Sequence, residues 1–254
     1  MKNPRMATPA YYTTLPPFRE IFRTGTPMLM YHQLGPLPRG VRIKGLYVRE
    51  KLFDRQMTEL HAAGFASVMP DELFSENNNQ PRVVLTFDDG FTSVLQYGLE
   101  PLARCKFRAI QFLVADRLGK VNDWDAPKGE VMSPLMDAAQ VREWLAAGHE
   151  IGAHTLTHPR LAQIPPAAAR EEVFSSKKKL EDLFGVPITH FCFPYGDCNE
   201  VVRDLVAEAG YRTACTTVSG VNTPAEHPLA LKRLMARHQS LSLKTLWSQL
   251  TGCA

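Results

Sequence analysis

Val83-Val84-Leu85-Thr86-Phe87-Asp88-Asp89-Gly90 is an apolar run that breaks into two adjacent carboxylates and a glycine. A parallel strand covered on both faces reads as a near-continuous run of Val and Leu. In α/β folds the residues just past the carboxyl end of such a strand border the ligand crevice. Neighbouring carboxylates repel, so at a half-buried strand end they require a cation or a proton to offset their charge. An ordinary Asp-Gly turn, with one Asp capping the next helix, is the alternative reading of the same residues.

Two further strand ends carry polar residues. A helical pattern from Asp137 to Ala147, with Val141, Trp144 and Leu145 on one face, stops at Gly148. The residues after it alternate like a short strand ending near His154, and His158 follows four positions later. Histidines at that spacing lie on one face of a helical turn and can grip one metal ion. With one Asp from the first cluster they would form a two-His, one-carboxylate site with open positions, suited to Zn²⁺ and also to Co²⁺, Ni²⁺ or Mn²⁺. Farther on, Thr189-His190-Phe191-Cys192-Phe193-Pro194-Tyr195-Gly196-Asp197 is an apolar strand breaking into a turn. Such a turn can direct backbone N–H groups at an oxyanion.

These residues resemble the polysaccharide deacetylases, the NodB-homology or carbohydrate esterase family 4 enzymes. Thr86-Phe87-Asp88-Asp89-Gly90 is similar to the family's first motif, His154-Thr155-Leu156-Thr157-His158 to its second, and Phe193-Pro194-Tyr195-Gly196 to the end of its third. The resemblance covers roughly residues 28 to 240. It implies a distorted (β/α) barrel of about seven strands, a divalent metal, and removal of N-acetyl groups from amino sugars. It also implies that Asp89, His154 and His158 hold the metal, that Asp88 is the general base, and that the N–H of Tyr195 assists at the oxyanion. Pro194 would line the substrate site with Tyr195.

The chain departs from the family at two places. The arginine that usually orients the base, three residues before the tyrosine, is replaced by Cys192. Arg233, in the apolar stretch Leu229 to Met235, is the expected substitute, since a buried Arg needs an acidic partner and Asp88 would serve. The usual carboxyl-terminal leucine-histidine pair that supplies the general acid is not clear after Tyr211. Pro27-Met28-Leu29-Met30-Tyr31-His32 is another short strand ending in His, and it resembles the circularly permuted exopolysaccharide deacetylases. His32 is therefore expected as general acid, on the side of the metal opposite Asp88, with His238 as its rival. Trp124 and Asp125, in the loop from Gly119 to Pro134, are expected to contact the sugar.

Composition agrees with one catalytic domain over residues 27–254 behind an irregular, Pro-rich arm over 1–26. With 254 residues, 44% of them hydrophobic, the chain can bury a core the size of one barrel. The net charge of +3 is small, and no basic stripe points to nucleic acid. Lys177-Lys178-Lys179 sits among acids on a helical pattern from Glu171 to Phe184 and reads as a solvated face. The five cysteines lack any C-x-x-C pair, which favours free thiols in a reducing compartment. There is no apolar run long enough for a leader or a membrane span. The expectation is a cytoplasmic enzyme acting on an N-acetylated glycan or lipid-linked oligosaccharide in exopolysaccharide assembly, with peripheral association at the inner membrane. A deacetylase of small amides or O-acetyl esters, or a weakly active glycan-binding relative, would read similarly.

Overall fold

The computed structural model describes residues 9–75 and 80–237. The described part of the arm is more ordered than its prolines suggest: a 3₁₀ turn at Pro16–Phe18 leads into one helical turn, α1, at Arg19–Phe22. Tyr12, Leu15, Phe18 and Phe22, spaced three or four apart, are buried there and join the outer core. Strand β1 (Thr26–Tyr31) is buried throughout, and the short β2 (Gln33–Leu34) and β3 (Tyr47–Val48) pair beside it as a separate ribbon. Next come α2 (Glu50–Ala62), β4 (Ala66–Ser67), β5 (Arg82–Phe87) and α3 (Thr92–Arg104). The regular alternation then runs β6 (Ile110–Leu113), α4 (Ala138–Ala146), β7 (Glu150–Ala153), α5 (Pro166–Phe184), β8 (His190–Cys192), α6 (Glu200–Glu208) and β9 (Thr213–Cys215). Two short strands, β10 (Val221–Asn222) and β11 (Leu234–Met235), end the described chain.

Parallel pairing runs β11-β1-β5-β6-β7-β8-β9, the barrel of about seven strands expected from the sequence. A bridge between Cys215 and Leu231 ties β9 to the segment entering β11, so the sheet curls round on itself. The first strand thus lies between β5 and the last. Local chemistry sets the helix limits. Asp137 and Gln140 form a reciprocal capping box at the start of α4, at 2.9 and 3.0 Å. Helix α5 begins at Pro166 rather than Glu171, because a proline at the first helical position followed by three alanines favours the helix. Among the described residues no helix is long and apolar enough to cross a membrane.

The two-residue period of a strand decides which side chains enter the barrel. The registers Met28 with Val84 and Met30 with Thr86 set His32 and Asp88 next in the same inward series. Phe112 faces Gly152, so His154 follows inward on β7, and Cys192 faces Cys215. Met28, Val84, Ile110, Phe112, Cys192, Cys215 and Leu231 pack together as the inner core. The larger apolar set, including Leu29, Tyr31, Leu85, Phe87, Val141, Trp144 and Val173, fills the space between strands and helices.

The inner core has no room to spare at Gly152. A Cβ there would stand 2.6 Å from the Phe112 ring and 2.8 Å from the His190 carbonyl oxygen, and a backbone atom cannot retreat as a side chain can. Gly152→Ala should cost about 1–3 kcal/mol of stability. Urea unfolding measures this, and an unchanged midpoint would show that the barrel closes less tightly than described.

Candidate active site

The loops leaving the strands make abrupt turns. Among the described residues five non-glycines have positive φ, and four of them are Asp89 (74°), Thr155 (68°), His158 (70°) and Tyr195 (60°). Such conformations are unfavourable for residues with a Cβ and persist where surrounding contacts impose them, commonly at functional sites. At Asp89 the turn separates the two carboxylates: Asp88 continues the inward series of β5, while Asp89 faces the loop carrying both histidines.

Asp89, His154 and His158 are all buried, and one donor atom from each lies within 4.8 Å of the others. Asp89 Oδ1 is 3.4 Å from His154 Nε2 and 3.3 Å from His158 Nε2, yet this buried oxygen has no hydrogen-bond partner among the described residues. A buried carboxylate oxygen left in this way, facing two imidazole nitrogens, suits a cation between them. His154 Nδ1 lies 2.7 Å from the Cys192 carbonyl oxygen, to which it donates when protonated, leaving Nε2 to face the cluster. Burial opposes ionisation of Asp89, but the two imidazoles hold its carboxyl well below the ordinary range. Burial lowers the His158 pKa and favours the neutral ligand form. A second convergent set, Asp88, His154 and Cys192, fits a cation less well. Burial pushes the Cys192 thiol up to about 11, and Asp88 is committed elsewhere.

That commitment is to Arg233. Its guanidinium forks onto Asp88, with Nη1 to Oδ1 at 2.7 Å and Nη2 to Oδ2 at 2.8 Å. The remaining donors reach the Thr216 carbonyl at 2.9 Å, Thr86 Oγ1 at 3.2 Å and Cys192 Sγ at 3.1 Å. Arg233 is 1% exposed, so its charge acts on Asp88 with little screening. Burial raises the Asp88 pKa, but Arg233, helped by His32, outweighs that and holds it below the ordinary value. The expected replacement for the missing arginine therefore stands in contact with the acid, reaching it from just before the last strand and past the small Cys192.

These groups line a cleft of about 390 Å³ at the carboxyl ends of the strands, together with His32, Trp124, Asp125, Lys128, Arg160 and Tyr195. His32 Nε2 lies 3.8 Å from Asp88 Oδ2, beside that carboxylate and not across from it. The cause is register: Tyr31 pairs with Phe87, which sets the next residue of each strand side by side. Trp124 stacks on His158, with centroids 4.5 Å apart, and Asp125 is buried and paired with Lys128 at 2.7 Å. Both line the cleft, although each is partly engaged by protein. Pro194 is buried and not among the lining residues, whereas Phe193 and Tyr195 on either side of it are. His238 lies outside the described residues. A larger cavity, about 740 Å³, opens at the other end of the barrel by Thr26 and Arg82, but no metal-binding set of described residues lies there.

Residues 75–214 match the polysaccharide deacetylase family. The chain belongs to that family. It is a hydrolase of the carbohydrate esterase 4 group. YxkH of Bacillus subtilis, a protein named for the same family, is 26% identical over 213 residues, 82% of this chain and 70% of its own length. The peptidoglycan-N-acetylglucosamine deacetylase PgdA of Listeria monocytogenes is 25% identical over 172 residues, 67% of this chain but 32% of its own length. The deacetylase PplD of Streptococcus pyogenes, solved with acetate, shares the fold with a TM-score of 0.73, at 22% identity over 88% of this chain and 97% of its own. IcaB of Ammonifex degensii does so with a TM-score of 0.72, at 22% identity over 89% and 97%.

Deacetylase motifs alone do not reveal what braces the histidine loop. Glu172 of α5 accepts hydrogen bonds from the N–H of Leu156 (2.7 Å) and of Thr157 (2.9 Å), and from the Thr157 hydroxyl (2.5 Å). Thr155 Oγ1 donates to the His154 carbonyl and accepts from the His158 N–H at 3.0 Å. In sequence Glu172 is one acid among several on a helix; only its position on the face toward the loop distinguishes it. Glu172→Ala should leave the barrel folded and weaken divalent-metal affinity by roughly 10–100-fold. Calorimetric titration with Zn²⁺ tests this, and an unchanged affinity would show that the loop holds its shape without Glu172.

Proposed function

We propose that this deacetylase removes N-acetyl groups from amino-sugar residues of a glycan, and that its reaction depends on a divalent metal held by Asp89, His154 and His158. The observation that carries this reading is the division of labour between adjacent acids. Asp89 faces two histidines with an unpartnered buried oxygen, while Asp88 is ionised in the fork of Arg233. Zinc suits the donor set best. When bound, such a cation supplies a Lewis acid that polarises the acetyl carbonyl and eases deprotonation of water.

The protein's own groups complete the hydrolysis. Asp88 takes a proton from the attacking water, whose oxygen bonds to the acetyl carbon. Arg233 orients Asp88 and keeps it ionised until that transfer. The N–H of Tyr195 donates to the oxyanion, and the Tyr195 ring, with Arg160 stacked 4.1 Å above it, closes one wall of the cleft. His32 gives its proton to the nitrogen as the C–N bond breaks, releasing acetate and the free amine. The position of its strand beside the last one supports the permuted arrangement of the exopolysaccharide enzymes. A growing or lipid-linked exopolysaccharide precursor, met in the cytoplasm at the membrane face, is the substrate we favour.

The test is mass-spectrometric detection of deacetylated product from an N-acetylglucosamine oligomer panel, with an O-acetyl ester panel beside it. Chelation should abolish turnover, and Zn²⁺, Co²⁺, Ni²⁺ or Mn²⁺ added singly should identify the best metal. Asp88→Asn should retain metal while losing about 10²-fold or more of kcat, and His32→Ala should lose about 10²–10⁴-fold. Loss of metal from Asp88→Asn would exchange the roles of the two aspartates. Chelator-resistant turnover, or action on the esters alone, would end the N-deacetylase reading.

Arg233 carries a prediction of opposite form. Because Asp88 has its pKa lowered, the base is ionised down to acidic pH and activity is lost only as pH falls through that lowered value. In Arg233→Met burial is left largely unopposed and the Asp88 pKa rises. The acid limb of the kcat/KM profile should then move to higher pH, with kcat reduced. A limb that stays in place would mean that Asp88 is not the titrating base.

A further inference from the structure

Beside the catalytic cleft lies a second groove of about 690 Å³ whose walls carry Arg42, Lys44, Arg49 and Arg237 and, among the described residues, no acidic side chain. Ile43, Leu46 and Met235 line both spaces, so the two adjoin along a shared wall. We propose that this basic groove is a subsite for an anionic group, phosphate or carboxylate, carried on the same glycan whose acetyl group enters the cleft. The proposal rests on the deacetylase reading and adds the charge of the substrate to it.

Three features separate the groove from an ordinary solvated surface. The chain has 29 basic and 26 acidic residues, and many of its surface cations are paired, among them Arg104, Arg108, Arg170 and Lys178. Lys44, Arg49 and Arg237 form no ion pair with a described residue. The Arg237 guanidinium is also held in place, its carbon 3.4 Å from the centroid of the Tyr11 ring, with Gly45 close by. A Cβ on Gly45 would stand 3.3 Å from Arg237 Nη1, so the glycine leaves the space the guanidinium uses. A pre-oriented guanidinium loses little entropy on binding an anion and presents a fork matched to phosphate or carboxylate. Finally, the loop is pinned from behind: the Glu130 carboxylate accepts from the N–H of Arg42 (3.1 Å) and of Ile43 (2.6 Å), so the nearby acid is spent on backbone.

Concavity favours a glycan-borne anion over a lipid surface. Attraction to an anionic bilayer needs cations on a face that can lie against the membrane, whereas these line a groove that shares a wall with the catalytic cleft. Like charges crowded in a low-dielectric groove raise one another's energy until an anion neutralises them.

The test compares deacetylation of three matched N-acetylglucosamine oligomers: neutral, bearing a terminal phosphate, and bearing a uronate. The native enzyme should favour one or both charged oligomers in kcat/KM, and the better of the two identifies the anion. Lys44→Gln/Arg49→Gln/Arg237→Gln should remove that preference by roughly tenfold while turnover of the neutral oligomer is unchanged. Equal turnover of charged and neutral oligomers by the native enzyme, or an undiminished preference in the variant, would overturn the proposal. So would a variant that keeps its preference but no longer binds phosphatidylglycerol vesicles, since the groove would then be a membrane face. Should no oligomer react, the deacetylase reading fails separately, and calorimetry with inorganic pyrophosphate still decides the groove. Binding that the triple variant weakens upholds it, and no binding to the native chain overturns it.

Discussion

Two carboxylates, adjacent in sequence and both buried, must each find a separate counter-charge, and the site is organised around meeting that demand. An isolated buried carboxylate is costly, and two neighbours compound the cost through repulsion. The positive φ of Asp89 turns the chain so that the second acid faces the histidine loop while the first keeps to the barrel axis. Arg233 meets the first with a bidentate ion pair. The second is left among imidazoles, where a cation would complete its environment. In the proposed mechanism one acid is thereby free to move a proton and the other serves for ligation, a distinction that residue type alone does not contain.

Strand parity carries this arrangement across the molecule. In a parallel barrel each strand offers alternate residues to the interior, so the last inward position before each loop is determined once the register is set. His32, Asp88 and His154 are such positions, and Arg233, just before β11, and Cys192 of β8 reach the same space. Cys192 and Arg233 are linked in this way: the small thiol leaves room for a long side chain entering from just before the last strand, and Sγ lies 3.1 Å from its guanidinium. A side chain of arginine size at 192 would compete for that volume in an interior packed near its limit.

Around the reacting groups, strained turns are supported from outside. Thr155 and His158 hold left-handed conformations while Glu172 binds the intervening backbone, and the cost of those conformations falls on a helix that takes no part in the chemistry. Trp124 covers one face of His158 and Tyr195 approaches its edge, at 4.5 and 4.7 Å between centroids, limiting the ring to one orientation. The donors of the cleft thus converge where aromatic rings pack around them. Ile43 and Leu46 stand between the cleft and the adjoining groove lined by cations.

By itself the sequence was enough to determine the class of fold, the family, and the residues at three strand ends, because buried strands and their polar termini leave a local pattern. Asp88, Asp89, His154 and His158 were legible for that reason, and Arg233 and His32 were named from the same logic of strand and partner. What sequence could not set was relative position. It put His32 opposite Asp88, where the register makes them neighbours; it placed Pro194 at a cleft that Phe193 and Tyr195 line instead; and it took the packed segment Pro16–Phe22 before β1 for irregular chain. Glu172 and Arg237 were invisible, being single charges whose meaning depends on which helix face or loop they meet. Periodicity is a property of one segment and survives in one dimension. Register between strands, the closure of β9 toward β11, and the partners of a buried charge arise only when segments far apart in sequence pack together, so the tertiary structure alone decided them.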